Sequence, residues 1–166
     1  LGHALVAFET FGRVMREPRV LCDMLWTTRW MNDDEALKSQ WYALGRSNEI
    51  LPMGRAVALW GQFLKDKLIG VDGGTDAISA HASRTGDGRQ LSIWVVNRGY
   101  EKTDGVKIAV RSPVRFRRAE VHQFSGTGPA DSNPRWQPLS PAKVSGNRLT
   151  VPPCPGLSIT VLSLHP

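Results

Sequence analysis

Residues 68–97 read LIGVDGGTDAISAHASRTGDGRQLSIWVVN, and the pattern of the chain changes at their start, over Leu68–Asp72. Before this point apolar residues recur every three or four positions, as on a helix, whereas after it they alternate every second position, as on a strand. Residues 77–83 and 90–97 alternate on either side of the turn 85–88, which predicts a β-hairpin. The stretch therefore predicts a mainly helical part joined to a mainly β part.

Short apolar runs continue from the hairpin to the end of the chain, separated by Gly, Pro, Asn and Ser. They cover residues 106–110, 119–124, 148–151 and 157–164. Six or more strands without an intervening helix are typical of an antiparallel β-sandwich. Within the first hairpin strand, the alternation places Ile78, Ala80 and Ala82 on one face and Ser79, His81 and Ser83 on the other.

Two amphipathic helices are predicted in the first part. One carries an apolar stripe from Leu1 to Met15 and is stopped at Glu17-Pro18, because the residue before a proline is pushed out of the helical region. The other starts near Pro52 and places Trp60 on its apolar face. Since the first stripe starts at Leu1 with no capping residue ahead of it, we expect the chain to be part of a longer protein.

The segment between the two helices has two parts. Val20–Trp26 is a short and nearly continuous apolar run, which is typical of a strand covered on both faces, with a helix as the alternative. Residues 27–51 are polar with interspersed aromatics and lack a sustained period, and a connection of this length is usually functional or disordered. The predicted order is helix, strand, long loop, helix.

Length, composition and charge limit the class of protein. With 166 residues, of which 41% are hydrophobic, the chain is long enough for one or two domains with a real core. A net charge of +6 permits an anionic partner but does not require one. No apolar stretch approaches the roughly 20 residues of a membrane span, so no membrane partner is predicted. Cys22 and Cys154 are too few for a disulfide framework, and neither they nor the scattered histidines show metal-ligand spacing.

Three segments resemble parts of one enzyme architecture: an eighth barrel strand, the excursion and last helix that follow it, and the closing strand of a companion sandwich. They are, in that order, Val20–Trp26, Trp41–Leu44 with Ile50–Gly61, and Pro152-Pro153 with Leu157–Leu162. Together they resemble the C-terminal end of retaining (β/α)8 glycoside hydrolases with an appended β-sandwich, and most of all α-L-arabinofuranosidases and related xylosidases. The resemblance implies an α+β chain. Residues 1–67 would be the end of a catalytic barrel, as helix, strand and helix, and residues 68–166 an antiparallel β-sandwich accessory domain that braces it.

The same resemblance implies that the chemistry lies elsewhere in the protein. Retaining glycosidases use a nucleophile and an acid/base carboxylate about 5–5.5 Å apart. In families of this kind the acid/base follows an Asn at the end of the fourth barrel strand and the nucleophilic Glu ends the seventh, so both would lie upstream of Leu1. No catalytic residue is therefore assigned to this chain, which is predicted to be inactive by itself.

The resemblance also implies what the parent protein binds. Its expected partners are a plant polysaccharide or oligosaccharide, bound through the barrel, and the rest of the barrel polypeptide. Neither a metal nor an organic cofactor is expected, and no nucleic-acid partner is predicted. The cellular location stays open, with a secreted or periplasmic parent as one option.

Three carboxylates inside the chain deserve comparison with the missing pair. Asn48-Glu49 has the letters of the acid/base signature, but it follows polar residues instead of an apolar strand, which favours a solvated loop. Glu9 lies beside the stripe of the first helix and is predicted to be a surface carboxylate. Asp23 lies inside an apolar run, so it needs a partner such as an Arg, or faces the sugar site.

Trp26 and Trp30 are the candidate substrate-binding residues. An indole offers a flat apolar face to a sugar ring and an N–H donor at its edge. Barrel active sites are built from the strand ends and the loops that follow them, which is where these residues lie if the resemblance holds. Ordinary packing is the alternative for both. Trp60 is predicted to be core, and Trp94 to pack against a neighbouring layer, with sugar contact as its alternative.

A basic cluster lies between the predicted strands at residues 106–110 and 119–124. It consists of Arg111, Arg115, Arg117 and Arg118. Such a cluster attracts phosphate or an acidic glycan, but the absence of a nucleic-acid motif favours a solvated strand edge. The alternative to a hydrolase fragment is a non-catalytic carbohydrate-binding β-sandwich with a helical extension. That alternative predicts glycan binding that survives deletion of residues 1–67.

Overall fold

The computed structural model describes residues 1–20, 42–45 and 47–166, which form an α+β structure, as predicted. The chain divides into two compact units. We call Leu1–Gln62 with Gly126–Pro134 the helical unit, and Phe63–Ser125 with Arg135–Pro166 the sandwich unit. Residues 21–26 of the strand predicted at Val20–Trp26 lie outside the described residues.

The described residues form two α-helices, α1 (Gly2–Val14) and α2 (Pro52–Phe63). Helix α1 buries Leu5 and Phe8 along its predicted stripe. The ring of Phe8 stacks on Trp60 of α2 with centroids 4.5 Å apart, and the Trp60 indole N–H donates to the Phe8 carbonyl at 3.1 Å. Trp60 is 4% exposed, so its prediction as a core residue is confirmed.

Eight strands follow within the described residues. They are β1 (Lys67–Ile69), β2 (Ile78–Arg84), β3 (Leu91–Asn97), β4 (Lys107–Ala109), β5 (Arg118–Ser125), β6 (Arg135–Lys143), β7 (Arg148–Thr150) and β8 (Ser158–His165). A six-stranded sheet has the order β1-β2-β3-β8-β5-β6, and β4 pairs with β7 in a second sheet. Every pair of neighbouring strands is antiparallel. The predicted hairpin is confirmed as β2–β3, with Ile78 opposite Asn97 and Arg84 opposite Leu91.

One apolar core lies between the two sheets. Leu91, Ile93 and Val95 of β3 contribute to it from the larger sheet, and Leu149 of β7 contributes from the smaller. This face-to-face packing of antiparallel sheets is the predicted sandwich.

The central strands are buried on both faces, which the alternation did not predict. Every residue of β3 is buried, and Trp94, on the face opposite Ile93, has no exposed surface. His81 of β2 lies opposite Trp94 and is 3% exposed, and Ser83 on the same face of β2 has no exposed surface. Polar residue type by itself therefore does not mark an exposed face of a strand.

Strand β6 was not predicted from the sequence. It contains Pro138 and Pro141, and most of its residues are exposed. Proline lacks an amide donor and is confined to edge strands, and β6 is an edge strand that pairs with β5 only. The prolines therefore argued against a strand here, although an edge strand tolerates them because its outer side makes no hydrogen bonds to a neighbouring strand.

Candidate functional site

A cavity of about 300 Å³ lies in the helical unit, where both helices begin. We call it the helix-start cavity, and its volume is at the lower end of the range for small-ligand sites. It is lined by Leu1, Gly2, His3, Ala4, Pro52, Met53, Pro129, Ala130, Asp131 and Ser132. The first six belong to the starts of the helices and the last four to the loop that joins β5 to β6, residues 126–134.

The contacts show that α1 and α2 run in the same direction. Gly2 and Pro52, at the two helix starts, line the same cavity, while Phe8 and Trp60 stack about two turns further along. Neighbouring helices of one direction need a connection that returns along their length. A strand between the helices, as in a βαβ unit, provides such a return.

The start of α1 is stabilised by a loop that is distant in sequence. The residue at its N-cap is Leu1, whose side chain makes no capping hydrogen bond, and the first turn has no acidic residue. Instead, the amide of Gly2 donates to the Pro129 carbonyl at 2.9 Å, and the nitrogen of Leu1 donates to the Asp131 carbonyl at 2.7 Å. Carbonyls of the 126–134 loop thus satisfy donors that a helix leaves open at its start.

Arg55 of α2 holds the other end of the same loop. Its guanidinium Nη1 donates to the Asn133 side-chain oxygen at 3.2 Å and to the Pro134 carbonyl at 3.0 Å. Its Nε donates to the Ile50 carbonyl at 3.1 Å, just before the helix. One side chain therefore ties the start of α2 to the loop that also caps α1.

Asp131 braces the loop from within. Its carboxylate accepts hydrogen bonds from the amides of Thr127 and Asn133, both at 2.8 Å, and from the Thr127 hydroxyl at 3.2 Å. These donors favour the charged form, so they lower the pKa of Asp131 below its ordinary value, chiefly through the Thr127 amide. The Asp131 carboxylate is thus engaged in hydrogen bonds that stabilise its own turn.

The lining of the helix-start cavity does not support glycoside hydrolysis by itself. Asp131 is the one carboxylate among the described lining residues, whereas retention needs two. The same lining contains no aromatic ring for a sugar face except the imidazole of His3. The described lining of the helix-start cavity therefore lacks the pair of carboxylates that retaining hydrolysis needs.

Both predicted substrate-binding residues, Trp26 and Trp30, lie outside the described residues, as do Asp23 and Trp41. The structure neither brings them together nor separates them. Their role in binding sugar stays a prediction.

Two other carboxylates fall within the described residues. Glu49 is exposed in a turn that starts at Gly45, and its carboxylate accepts the Ser47 amide at 2.9 Å, which confirms the loop interpretation of Asn48-Glu49. Glu9 is 7% exposed, so its prediction as a surface carboxylate is wrong. The buried side of α1 extends past Phe8 to include Glu9, whose carboxylate lies 3.8 Å from Arg13, one turn later.

The remaining candidates are placed as follows. Trp94 is fully buried, which excludes sugar contact at that position. The four arginines of the basic cluster are exposed, as the interpretation as a solvated edge requires. Within the described ranges, no group of His, Cys, Asp and Glu is arranged to hold a metal ion. Neither described helix is long and apolar enough to cross a membrane.

The sequence did not identify Arg55 and Asp131 as the residues that fix the 126–134 loop at the helix starts. The composition of Gly126–Pro134 does predict a loop, because it is rich in Gly, Pro, Ser, Asn and Asp, which favour turns. Nothing in the sequence shows that this turn meets helices more than 70 residues earlier.

Comparison with known proteins supplies the fold relationship. No protein-family model and no curated protein matches the sequence. The solved glycoside hydrolase family 30 subfamily 8 xylanase Xyn30A from Clostridium acetobutylicum matches with a TM-score of 0.72 and 14% identity, over 99% of this chain and 39% of that one.

Two further glycoside hydrolases match over most of this chain. The family 44 endoglucanase Cel44A from Clostridium thermocellum has a TM-score of 0.60 and 19% identity, over 73% of this chain and 24% of that one. The family 51 arabinofuranosidase from Xanthomonas axonopodis pv. citri has a TM-score of 0.60 and 17% identity, over 76% and 29%. At such identities the likeness concerns the fold. The chain spans about a quarter to two fifths of these proteins, and its fold is that of a part of glycoside hydrolases from families 30, 44 and 51.

Proposed function

We propose that this chain is the C-terminal portion of a carbohydrate-active glycoside hydrolase of the α-L-arabinofuranosidase type. Residues 1–67 are the end of its (β/α)8 catalytic barrel, and residues 68–166 are the β-sandwich that braces the barrel. The catalytic carboxylate pair belongs to a part of the protein upstream of this chain. The parent cleaves its glycosidic bond with retention and needs neither a metal nor an organic cofactor.

The observation that carries the proposal is the parallel pair α1 and α2, followed directly by an antiparallel sandwich. Consecutive helices of a (β/α)8 barrel run in the same direction because a strand returns the chain between them. The apolar run Val20–Trp26 has the composition of such a strand. The fold of a family 30 xylanase matches 99% of this chain with a TM-score of 0.72.

The 126–134 loop supports the bracing role. It leaves β5 and returns as β6, yet it belongs to the helical unit. There it accepts the Gly2 amide and the Arg55 guanidinium. A loop of the sandwich sequence thus completes the helix starts, which in a barrel lie on the same side as the active site.

Three carboxylates within the described residues are consistent with a catalytic pair outside this chain. Asp131 is engaged by the turn it holds, Glu49 is exposed in a loop, and Glu9 is buried beside Arg13. None of the three ends an apolar strand, where barrel glycosidases place their acids. Trp26 and Trp30 are the proposed sugar contacts, since they follow the proposed last barrel strand.

The substrate class is a plant polysaccharide or an oligosaccharide derived from it. The sequence resemblance implies that the bond cleaved is an α-L-arabinofuranosidic linkage. The structures similar in fold are described as a xylanase, an endoglucanase and an arabinofuranosidase. The assay panel should therefore include aryl α-L-arabinofuranoside, aryl β-D-xyloside, xylan and β-glucan.

The direct test compares this chain with the same chain extended upstream in its gene. We expect no chromophore release by the 166-residue chain and hydrolysis by the extended protein, with a Glu after an apolar strand shortly before Leu1. Replacing that Glu by Gln should abolish the activity. Release of chromophore by the 166-residue chain would contradict the missing pair, and an upstream sequence without strand-terminal acids would favour the binding-module alternative.

The proposed sugar contacts are tested in the extended protein. Trp26→Ala and Trp30→Ala should raise KM, because each removes an apolar face for a sugar ring. Tyr100→Ala is the matched control, since Tyr100 is 75% exposed in the sandwich unit. An unchanged KM in both tryptophan variants would contradict sugar binding and favour the alternative, in which Trp26 and Trp30 have only a packing role.

A further inference from the structure

The positive charge of this protein is segregated into one of its two units. The sandwich unit contains fourteen Lys and Arg against seven Asp and Glu, whereas the helical unit contains seven against eight. Seven of the fourteen fall in residues 107–118 and 143–148, which contain no Asp or Glu. Half of the cations of the sandwich unit thus come from two short segments.

These two segments meet around the smaller sheet. Strand β4 pairs with β7 so that Lys107 lies opposite Thr150 and Ala109 lies opposite Arg148. These four alternate with the core residues Ile108 and Leu149, so they face the other side of the sheet. Lys107 and Arg148 are diagonal neighbours, a spacing of roughly 7–8 Å.

A groove of about 470 Å³ lies at this sheet, and we call it the basic groove. It is lined by Lys107, Ile108, Ala109, Lys143, Ser145, Arg148, Leu149 and Thr150. Three cations, two hydroxyl groups and small or aliphatic side chains therefore surround one concave surface. All of these residues belong to the sandwich unit.

The cations of the basic groove lack the partners that their neighbours have. Arg118 lies 3.5 Å from Glu120, and Arg111 lies 4.0 Å from Asp72. Over the described part of the chain, no carboxylate is within ion-pair distance of Lys107, Lys143 or Arg148. Like charges placed together without counter-charges repel, and a bound anion relieves that repulsion.

We propose that the basic groove binds a polysaccharide that carries carboxylate groups, that is, a uronate-bearing glycan. The cations pair with the carboxylates, while Ser145 and Thr150 provide hydroxyl groups for the sugar hydroxyls. Single-stranded nucleic acid fits less well, because its binding uses aromatic rings to stack bases and the groove lining has none. The proposal concerns residues of the sandwich unit alone and does not depend on the parent being a hydrolase.

The test measures binding of the intact 166-residue chain to polygalacturonate by affinity electrophoresis. Methyl-esterified polygalacturonate, which has the same backbone without the charge, should bind weakly or not at all. The double variant K107Q/R148Q should lower the affinity about tenfold, since each exposed ion pair contributes up to about threefold to fivefold. Added salt should weaken the binding of the unmodified chain more than that of the variant.

A matched control removes the same charge elsewhere. K67Q/R135Q lowers the net charge equally at exposed residues of the edge strands β1 and β6, and it should change the affinity less than twofold. Circular dichroism checks that both double variants fold, and K143Q provides a single substitution in the groove if K107Q/R148Q does not fold.

Equal losses of affinity in the groove and control variants would overturn the site. Equally tight, groove-dependent binding of single-stranded DNA would overturn the assignment to a glycan. The hydrolysis assay is unaffected by either outcome, so the two proposals fail separately.

Discussion

The sandwich unit and the helical unit are held together in different ways. In the sandwich, strands β3 and β8 lie at the centre of a six-stranded ladder and are buried almost throughout. In the helical unit, the described contacts between α1 and α2 centre on the Phe8–Trp60 stack, and the start of α1 is capped through Gly2 by Pro129, 127 positions later in the sequence. The sandwich is therefore supported by its own core, whereas the helix starts depend on residues 126–134.

The largest expected effects on stability come from one core substitution in the sandwich unit and one in the helical unit. Leu162→Ala should lower the free energy of unfolding of the sandwich by about 2–5 kcal/mol, because it removes a fully buried side chain from the core between the two sheets and leaves a cavity beside Ile93 of β3. Phe8→Ala removes an equally buried side chain from the helical unit. Amide hydrogen exchange should show lost protection in β3 for the first variant and in α1 for the second. If Phe8→Ala lowers β3 protection as much as α1 protection, the two units unfold together and the comparison fails.

A pair of glycines in α2 provides an internal comparison within the helical unit. A Cβ at Gly54 would clash with the Ala43 carbonyl oxygen, whereas a Cβ at Gly61 meets no atom within 4 Å. Gly54→Ala should therefore destabilise the protein by about 1–3 kcal/mol. Gly61→Ala should stabilise it by up to about 1 kcal/mol, because alanine favours the helix. Urea denaturation followed at 222 nm measures both, and equal effects of one sign would show that the 42–45 segment does not pack on α2 as described.

The smallest expected effect concerns the loop that caps α1. The pKa of Asp131 is lowered in the folded protein, so its contribution to stability is present above its unfolded pKa of about 3.9 and is lost as pH falls through the lower folded value. Exchange of the Thr127 amide should therefore accelerate below about pH 4, beyond the intrinsic effect of pH. In Asp131→Asn this extra pH dependence should be absent. The same acceleration in the Asn variant would mean that another group controls the loop.

Much of the fold followed from local patterns. The stripe from Leu1 and the face containing Trp60 predicted both helices, and the alternation on either side of the turn at residues 85–88 predicted β2 and β3. Strand β6 was missed because Pro138 and Pro141 disqualify a central strand but not an edge strand, and sequence does not show which strand is at an edge. Glu9 was misplaced because a charge beside an apolar stripe is usually exposed.

The candidate site was less predictable than the fold. The helix-start cavity depends on hydrogen bonds between residues that are far apart in sequence, such as Gly2 with Pro129 and Arg55 with Pro134. No periodicity encodes these contacts. The sugar-binding roles of Trp26 and Trp30 stay predictions, because both residues lie outside the described part of the chain.

The sequence by itself determined the two amphipathic helices, the change to strand-forming segments after them and the excess of positive charge, because periodicity and composition act through neighbouring residues along the chain. Only the tertiary structure decided which cations stand together without counter-charges, which strand lies at an edge and which loop caps α1. These outcomes depend on distances across the fold. Lys107 and Arg148, for example, are 41 positions apart in the chain and diagonal neighbours on one small sheet.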